Sequence, residues 1–177
     1  MQQEHKRVPV WDPFVRVFHW SLVLAGVLAW SSAEEQAWLH ERAGYFIFAL
    51  VGLRVLWGMV GSRHARFSNF LNGPLQTMAY LKDLPSGRPR RYLGHNPAGG
   101  WMVIALLCAM LATGASGAFM GVGDPEFWEE LHEGLAEFTL LLVVIHLGGV
   151  LSTSLLHREN LVSAMWTGAK IRRNADV

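Results

Sequence analysis

Eight histidines are the main chemical signal in the chain. Four of them, His19, His40, His132 and His146, fall within or against long apolar stretches. Two sit in the same tripeptide, Leu-His-Glu, at residues 39–41 and 131–133. His132 and His146 are fourteen residues apart. On a helix that spacing is about 21 Å and close to four turns, so both rings share roughly one face. Imidazoles in an apolar medium are costly and usually mark a function. They can ligate a metal ion, ligate haem iron or relay protons, and any single one can instead be satisfied by ordinary hydrogen bonds. Three others, His5, His64 and His157, lie at or beyond the ends of the apolar stretches and read as solvated, while His95 opens the third stretch in Gly-His-Asn-Pro.

The elements that must position these rings follow from composition. Of 177 residues, 51% are apolar, which is high for a water-soluble domain of this size. Crossing a hydrocarbon core of about 30 Å takes roughly 20 residues. Four stretches qualify, residues 14–33, 43–61, 99–122 and 135–156. The expected fold is all-α: one integral membrane four-helix bundle over residues 1–177, with short amphipathic surface helices. The first stretch imitates a signal peptide, with Ser31 and Ala33 before Glu34. However, Arg16, His19 and Trp20 are poor chemistry for its apolar segment. The single cysteine, Cys108, allows no intramolecular disulfide and, without Cys-x-x-Cys-His, no cysteine-attached haem; it reads as a packing residue.

Threading the chain through four spans separates its charges. Of 15 Lys and Arg, all but Arg42 fall on the side that holds both termini and the loop between spans two and three. Glu34, Glu35, Glu41, Asp124, Glu126, Glu129, Glu130, Glu133 and Glu137 fall on the other. The positive-inside rule places both termini in the cytoplasm of a bacterial inner membrane.

Direction of travel then gives depth. His19 lies near the start of an outward span and His146 near the end of an inward one, both toward the cytoplasm. His40 and His132 lie near the starts of inward spans, toward the periplasm. The rings pair by level, His40 with His132 and His19 with His146. Two such pairs match two bis-imidazole haems, since haem iron takes one axial ligand from each side and bundle interiors build such sites. Zinc would gather about four ligands at one level, commonly with Cys or carboxylate among them. A proton relay would use mid-membrane Asp or Glu, which these spans lack. Histidine-based metal transport stays open as a reading from another class.

Glycines near the ligands, Gly44, Gly114, Gly117, Gly148 and Gly149, would let a flat porphyrin approach the backbone, though small residues also serve helix packing. Arg16 and Arg54 either pair with haem propionates or snorkel to headgroups. Trp11, Trp20, Trp38, Trp57, Trp101, Trp128 and Trp166 read as interfacial belt anchors.

Two helix starts are written locally. Ser32-Ala-Glu-Glu35 reads as a capping box, and Asp124-Pro125 as an N-cap acid followed by proline at the first helical position. Both helices should project a turn or two beyond the membrane. Aligning them exposes a weak repeat, each start lying eight residues before a Leu-His-Glu histidine, so the chain reads as two related hairpins joined by residues 62–97. Within that connector, residues 74–84 form an amphipathic surface helix anchored to lipid headgroups, and a similar one runs over residues 160–167.

With these residues in view, the chain resembles the bacterial cytochrome b561 family and the related b-type cytochrome subunits of Ni/Fe-hydrogenases and formate dehydrogenases. The resemblance covers nearly the whole chain. It rests on Val-Trp-Asp-Pro-Phe-Val-Arg-Val-Phe-His-Trp (10–20), Leu-His-Glu-Arg-Ala-Gly-Tyr (39–45), Arg54 with Trp57-Gly58, Ala65-Arg66-Phe67, Gly-His-Asn-Pro-Ala-Gly-Gly-Trp (94–101), and His132 with His146. It implies that His19, His40, His132 and His146 hold two b haems. The implied role is an electron-carrying subunit rather than a complete enzyme, working in a respiratory chain between a quinone pool and a periplasmic c-type cytochrome or redox enzyme. Nucleic acid is not among the expected partners. The family's habits also place a quinone near the cytoplasmic haem, around His19, His95, Asn96 and His146. The resemblance leaves one alternative, a free-standing superoxide:quinone oxidoreductase, a role that some small relatives perform.

Overall fold

A computed structural model describes residues 6–87, 89–173 and 176. His5 and Arg88, placed on the basic side by the sequence, lie outside these. The chain is all-α apart from two short strands. In order it runs β1 (Arg7–Pro9), α1 (Pro13–Ser32), α2 (Ala37–Val60), α3 (Phe67–Phe70), α4 (Pro74–Asp83), α5 (Pro97–Ala118), α6 (Pro125–His157), α7 (Leu161–Thr167) and β2 (Ala169–Ile171), with a 3-10 turn at Leu84–Ser86. Helices α1, α2, α5 and α6 are each long and apolar enough to cross a bilayer, and the protein is a multi-pass membrane protein.

The chain divides into two compact units, one of Met1–Arg16, Trp57–Val103 and Ile145–Val177, the other of Val17–Leu56 and Ile104–Val144. The first carries both strands and the connector. Its core is Val10, Trp11, Val15 and Ala65, with Val8, Trp57, Leu93 and Met165 packed against it. Trp11 and Trp57 are therefore core residues and not belt anchors, whereas Trp101 and Trp166 are exposed. Asp12 explains the Trp-Asp-Pro-Phe run. One carboxylate oxygen accepts the Val15 amide at 2.8 Å and caps α1, where Pro13 needs no donor. The other accepts the Trp57 indole at 3.2 Å and the Ser62 hydroxyl, pinning the start of α1 to the end of α2. A side chain at Gly58 would collide with the Phe67 ring, which accounts for Trp-Gly followed by Phe.

The strands were not expected from sequence, because three residues each leave no alternation to detect. β1 pairs with β2 antiparallel, Val8 opposite Lys170. The pairing is prepared by Gly168, whose φ of +81° ends α7 in the left-handed region and whose carbonyl accepts the amides of Val10 at 2.8 Å and Trp11 at 3.0 Å. A buried ion network holds the junction. Arg91 donates to Glu159 at 2.6 Å and to the Ile171 carbonyl at 2.9 Å, and also pairs with Asp176. Lys170 donates to Glu159 at 3.0 Å and to the Tyr92 carbonyl at 3.2 Å.

His64 and His157 are half-buried in this unit and not solvated as expected. For His64, burial, with Arg63 and Lys170 nearby, holds the imidazole below its ordinary value of 6.5. The fold thus favours neutral His64, so its contribution to stability is full above 6.5 and falls as pH drops from 6.5 through the lowered folded value. For Asp176, burial raises and the Arg91 bond lowers, with a net shift below 3.8, so its contribution is lost only as pH falls from 3.8 through that lower value. Protection of the β1 and β2 amides, taken relative to their intrinsic exchange rates, should accordingly fall in two steps on acidification, the first below pH 6.5 and smaller in His64→Gln, the second below pH 3.8.

In the second unit Ser32 ends α1 and does not cap α2. Its hydroxyl donates to the Leu28 carbonyl at 2.6 Å, residues 33–35 form a turn, and α2 starts at Ala37. The expected capping box fails because that hydroxyl is engaged by its own helix. Asp124 does cap α6, accepting the Glu126 amide at 3.1 Å with Pro125 at the first position. Cys108 is exposed and faces outward. It is not a packing residue.

Candidate functional site

His40 lies on the first turn of α2 and His132 on the third turn of α6. The second unit brings them together, with ring centroids 5.9 Å apart and planes at 81°. The Nδ1 of His40 lies 2.8 Å from the Ala29 carbonyl of α1, and the Nδ1 of His132 lies 2.9 Å from the Thr113 carbonyl of α5. A carbonyl only accepts, so both rings carry their proton on Nδ1 and keep the Nε2 lone pair for a ligand. Such a second hydrogen bond is what fixes the tautomer and aim of a metal-binding imidazole. Around His132, the Ser116 hydroxyl lies 3.2 Å from Nδ1 and donates to Thr113 at 2.8 Å, while the Thr113 hydroxyl reaches Ala109 at 2.9 Å. The sequence carried no signal for these carbonyls.

The glycines divide. A Cβ at Gly117 would stand 3.0 Å from Cε1 of His132, and one at Gly114 would strike Phe48, so these two make room for protein side chains. At Gly44, one turn after His40, and at Gly148 and Gly149, a Cβ would meet nothing within 4 Å.

The other expected residues are placed as follows. His19 stands on α1, edge-on to Trp20 at 5.1 Å, and His146 on α6. Arg54, in α2, is 2% exposed. Arg16 donates to the Trp166 carbonyl, so it ties α1 to α7 and does not snorkel. The His95 ring is held between Trp11 at 4.7 Å and Phe70 at 4.5 Å. Asn96 caps α5, its side-chain oxygen accepting the Gly99 amide at 2.7 Å. Among the described residues no three of His, Cys, Asp or Glu gather as a metal cluster.

A profile described as prokaryotic cytochrome b561 matches residues 10–168, nearly the whole chain. The chain belongs to this cytochrome b561 family. It is therefore a membrane b-type cytochrome that transfers electrons, and the family implies haem b. Two relatives agree. A probable Ni/Fe-hydrogenase B-type cytochrome subunit of Cupriavidus necator is 24% identical, aligning 92% of this chain with 86% of that one. A protein of the same description from Rhizobium leguminosarum bv. viciae is 23% identical, over 98% and 92% of the two chains. No solved structure matches the chain significantly.

Cytochrome b561 membership gives the His40 and His132 geometry its test. A metal–imidazole bond is about 2 Å, and the ring centre stands about 1 Å behind its nitrogen, so two rings on one iron have centres about 6 Å apart. The 5.9 Å separation fits, and rings sharing one axis can take any mutual twist.

Proposed function

We propose that this cytochrome carries electrons across the bacterial inner membrane on two b haems, between a periplasmic redox enzyme or c-type cytochrome and the quinone pool. The observation that carries the proposal is the His40 and His132 pair, at a haem-ligand separation with both Nδ1 atoms on backbone carbonyls. Bound haem b supplies a one-electron couple. His40 and His132 would hold one haem, and His19 and His146 would hold the other. Ala29 and Thr113 hold the rings of the first in the ligating tautomer. Gly44 leaves open space beside His40. Arg54, and Arg16 beside it in role, are the cations for propionates; a buried guanidinium stays charged at any working pH and suits such an anion. Both termini are cytoplasmic, as the segregation of Lys and Arg indicates.

On the basic side, His95 and Asn96 open α5 where quinone would be met. His95 and Asn96 would line that quinone site, with Asn96 also capping the helix. α4 lies on the inner lipid surface, with Leu75, Met78 and Lys82 outward and Tyr80 buried. The relatives' printed names, hydrogenase cytochrome subunits, support a redox enzyme as donor.

The test is transfer in sealed liposomes. With ferricyanide trapped inside and a reduced donor outside, protein-loaded vesicles should reduce the trapped acceptor and empty vesicles should not. Equal rates in both would remove the proposal.

A further inference from the structure

Helix α6 has 33 residues, about 50 Å against a hydrocarbon core of about 30 Å, so several turns stand in water. Its acids mark which turns. At 100° per residue, Glu126, Glu129, Glu130, Glu133 and Glu137 fall within about 100° of arc and form one stripe about 17 Å long. Phe127, Leu131, Gly134 and Phe138 form a second stripe directly beside it. All nine are exposed, Phe127 by 55% and Phe138 by 50%. Among the described residues none of the five carboxylates has an ion pair. The helix dipole accounts for Glu126 alone, since it acts within the first turn. Nor does the apolar stripe face lipid over this length, because its neighbouring carboxylates are excluded from hydrocarbon. An unpartnered helix face, half acidic and half apolar, is left in water, with His132 on the inward side of the same helix.

We propose that this face of α6 is the docking surface for the cytochrome's electron partner, a protein presenting lysine and arginine around an apolar centre. The inference rests on the carrier reading above and adds the partner's chemistry and its place. Charge complementarity selects the occupant: five uncompensated carboxylates repel an acidic protein and steer a basic one at rates that fall with ionic strength. A partner seated there is one helix diameter, about 10 Å, from His132.

The probe is mitochondrial cytochrome c, which is basic, compared with the same protein after succinylation of its lysines. The full-length cytochrome in neutral detergent is assayed for binding of the oxidised probe and for electron exchange with it. Raising salt from about 10 mM to about 150 mM, which shortens the Debye length from about 30 Å to about 8 Å, should weaken binding at least tenfold. Succinylated probe should not bind. Glu130→Lys with Glu133→Lys should weaken binding at least tenfold. Phe127→Ser should weaken it severalfold without altering the salt slope, and Arg172→Glu, next to β2 in the first unit, should change nothing. Binding with these dependences but no electron exchange would leave the surface standing and overturn the carrier reading. Exchange or binding insensitive to salt, to succinylation and to the two lysine substitutions would overturn the surface.

Discussion

His40→Ala and His132→Ala are expected to remove the same haem. Each single variant should purify with about half of the wild-type haem, and the double variant should hold as much as either single one. The reason is local. The two rings stand 5.9 Å apart and each is aimed by one carbonyl, so losing either would leave a single histidine to hold the haem. His19→Ala and His146→Ala should remove the other haem, and combining one variant from each pair should leave none. Haem per chain, by pyridine haemochrome, reads all of these. A His40→Ala, His132→Ala double variant with less haem than either single would contradict the pairing. Loss of the Ser116 hydroxyl should matter far less, because the Thr113 carbonyl still holds Nδ1 of His132.

The second large effect lies in the ion network at the strand pair. Arg91→Ala is expected to destabilise the β1–β2 junction by about 3–5 kcal/mol, the usual cost of removing one partner from a buried pair. Arg91 joins Glu159, Asp176 and the Ile171 carbonyl, and its side chain is 6% exposed. Its removal leaves Glu159 with Lys170 and Asp176 with the Arg173 backbone amide. Trypsin cleavage after Lys170 and Arg172 and amide exchange in β2 should both accelerate by two to three orders of magnitude. Arg91→Lys should recover only part of the loss, since an ammonium cannot serve Glu159 and Asp176 with a planar fork. Unchanged protection in Arg91→Ala would show that the strand pair stands without the network.

The four spans were legible because each is a run of about 20 apolar residues, which few other structures explain. The cap at Asp124 was legible because acid followed by proline has one common meaning at a helix start. Ser32-Ala-Glu-Glu35 has two, and the unseen competitor was the Leu28 carbonyl one turn back. The strand pair and the Arg91 network were not legible, since their partners lie far apart in sequence and only the folded chain brings them together. In the site, the level argument reached His40 and His132 from span direction alone. The carbonyls of Ala29 and Thr113 carry no side-chain signature, so the tautomers could not be read. That Gly114 and Gly117 stand against Phe48 and His132 could not be read either, because a glycine records that something is close, not what it is.

The most direct measurement is the absorption spectrum of the purified protein, oxidised and dithionite-reduced, with haem counted per chain. Two b haems per chain with low-spin bands are predicted. A protein that is colourless when expressed with ample haem, or that holds one haem unaffected by His40→Ala, would contradict the account.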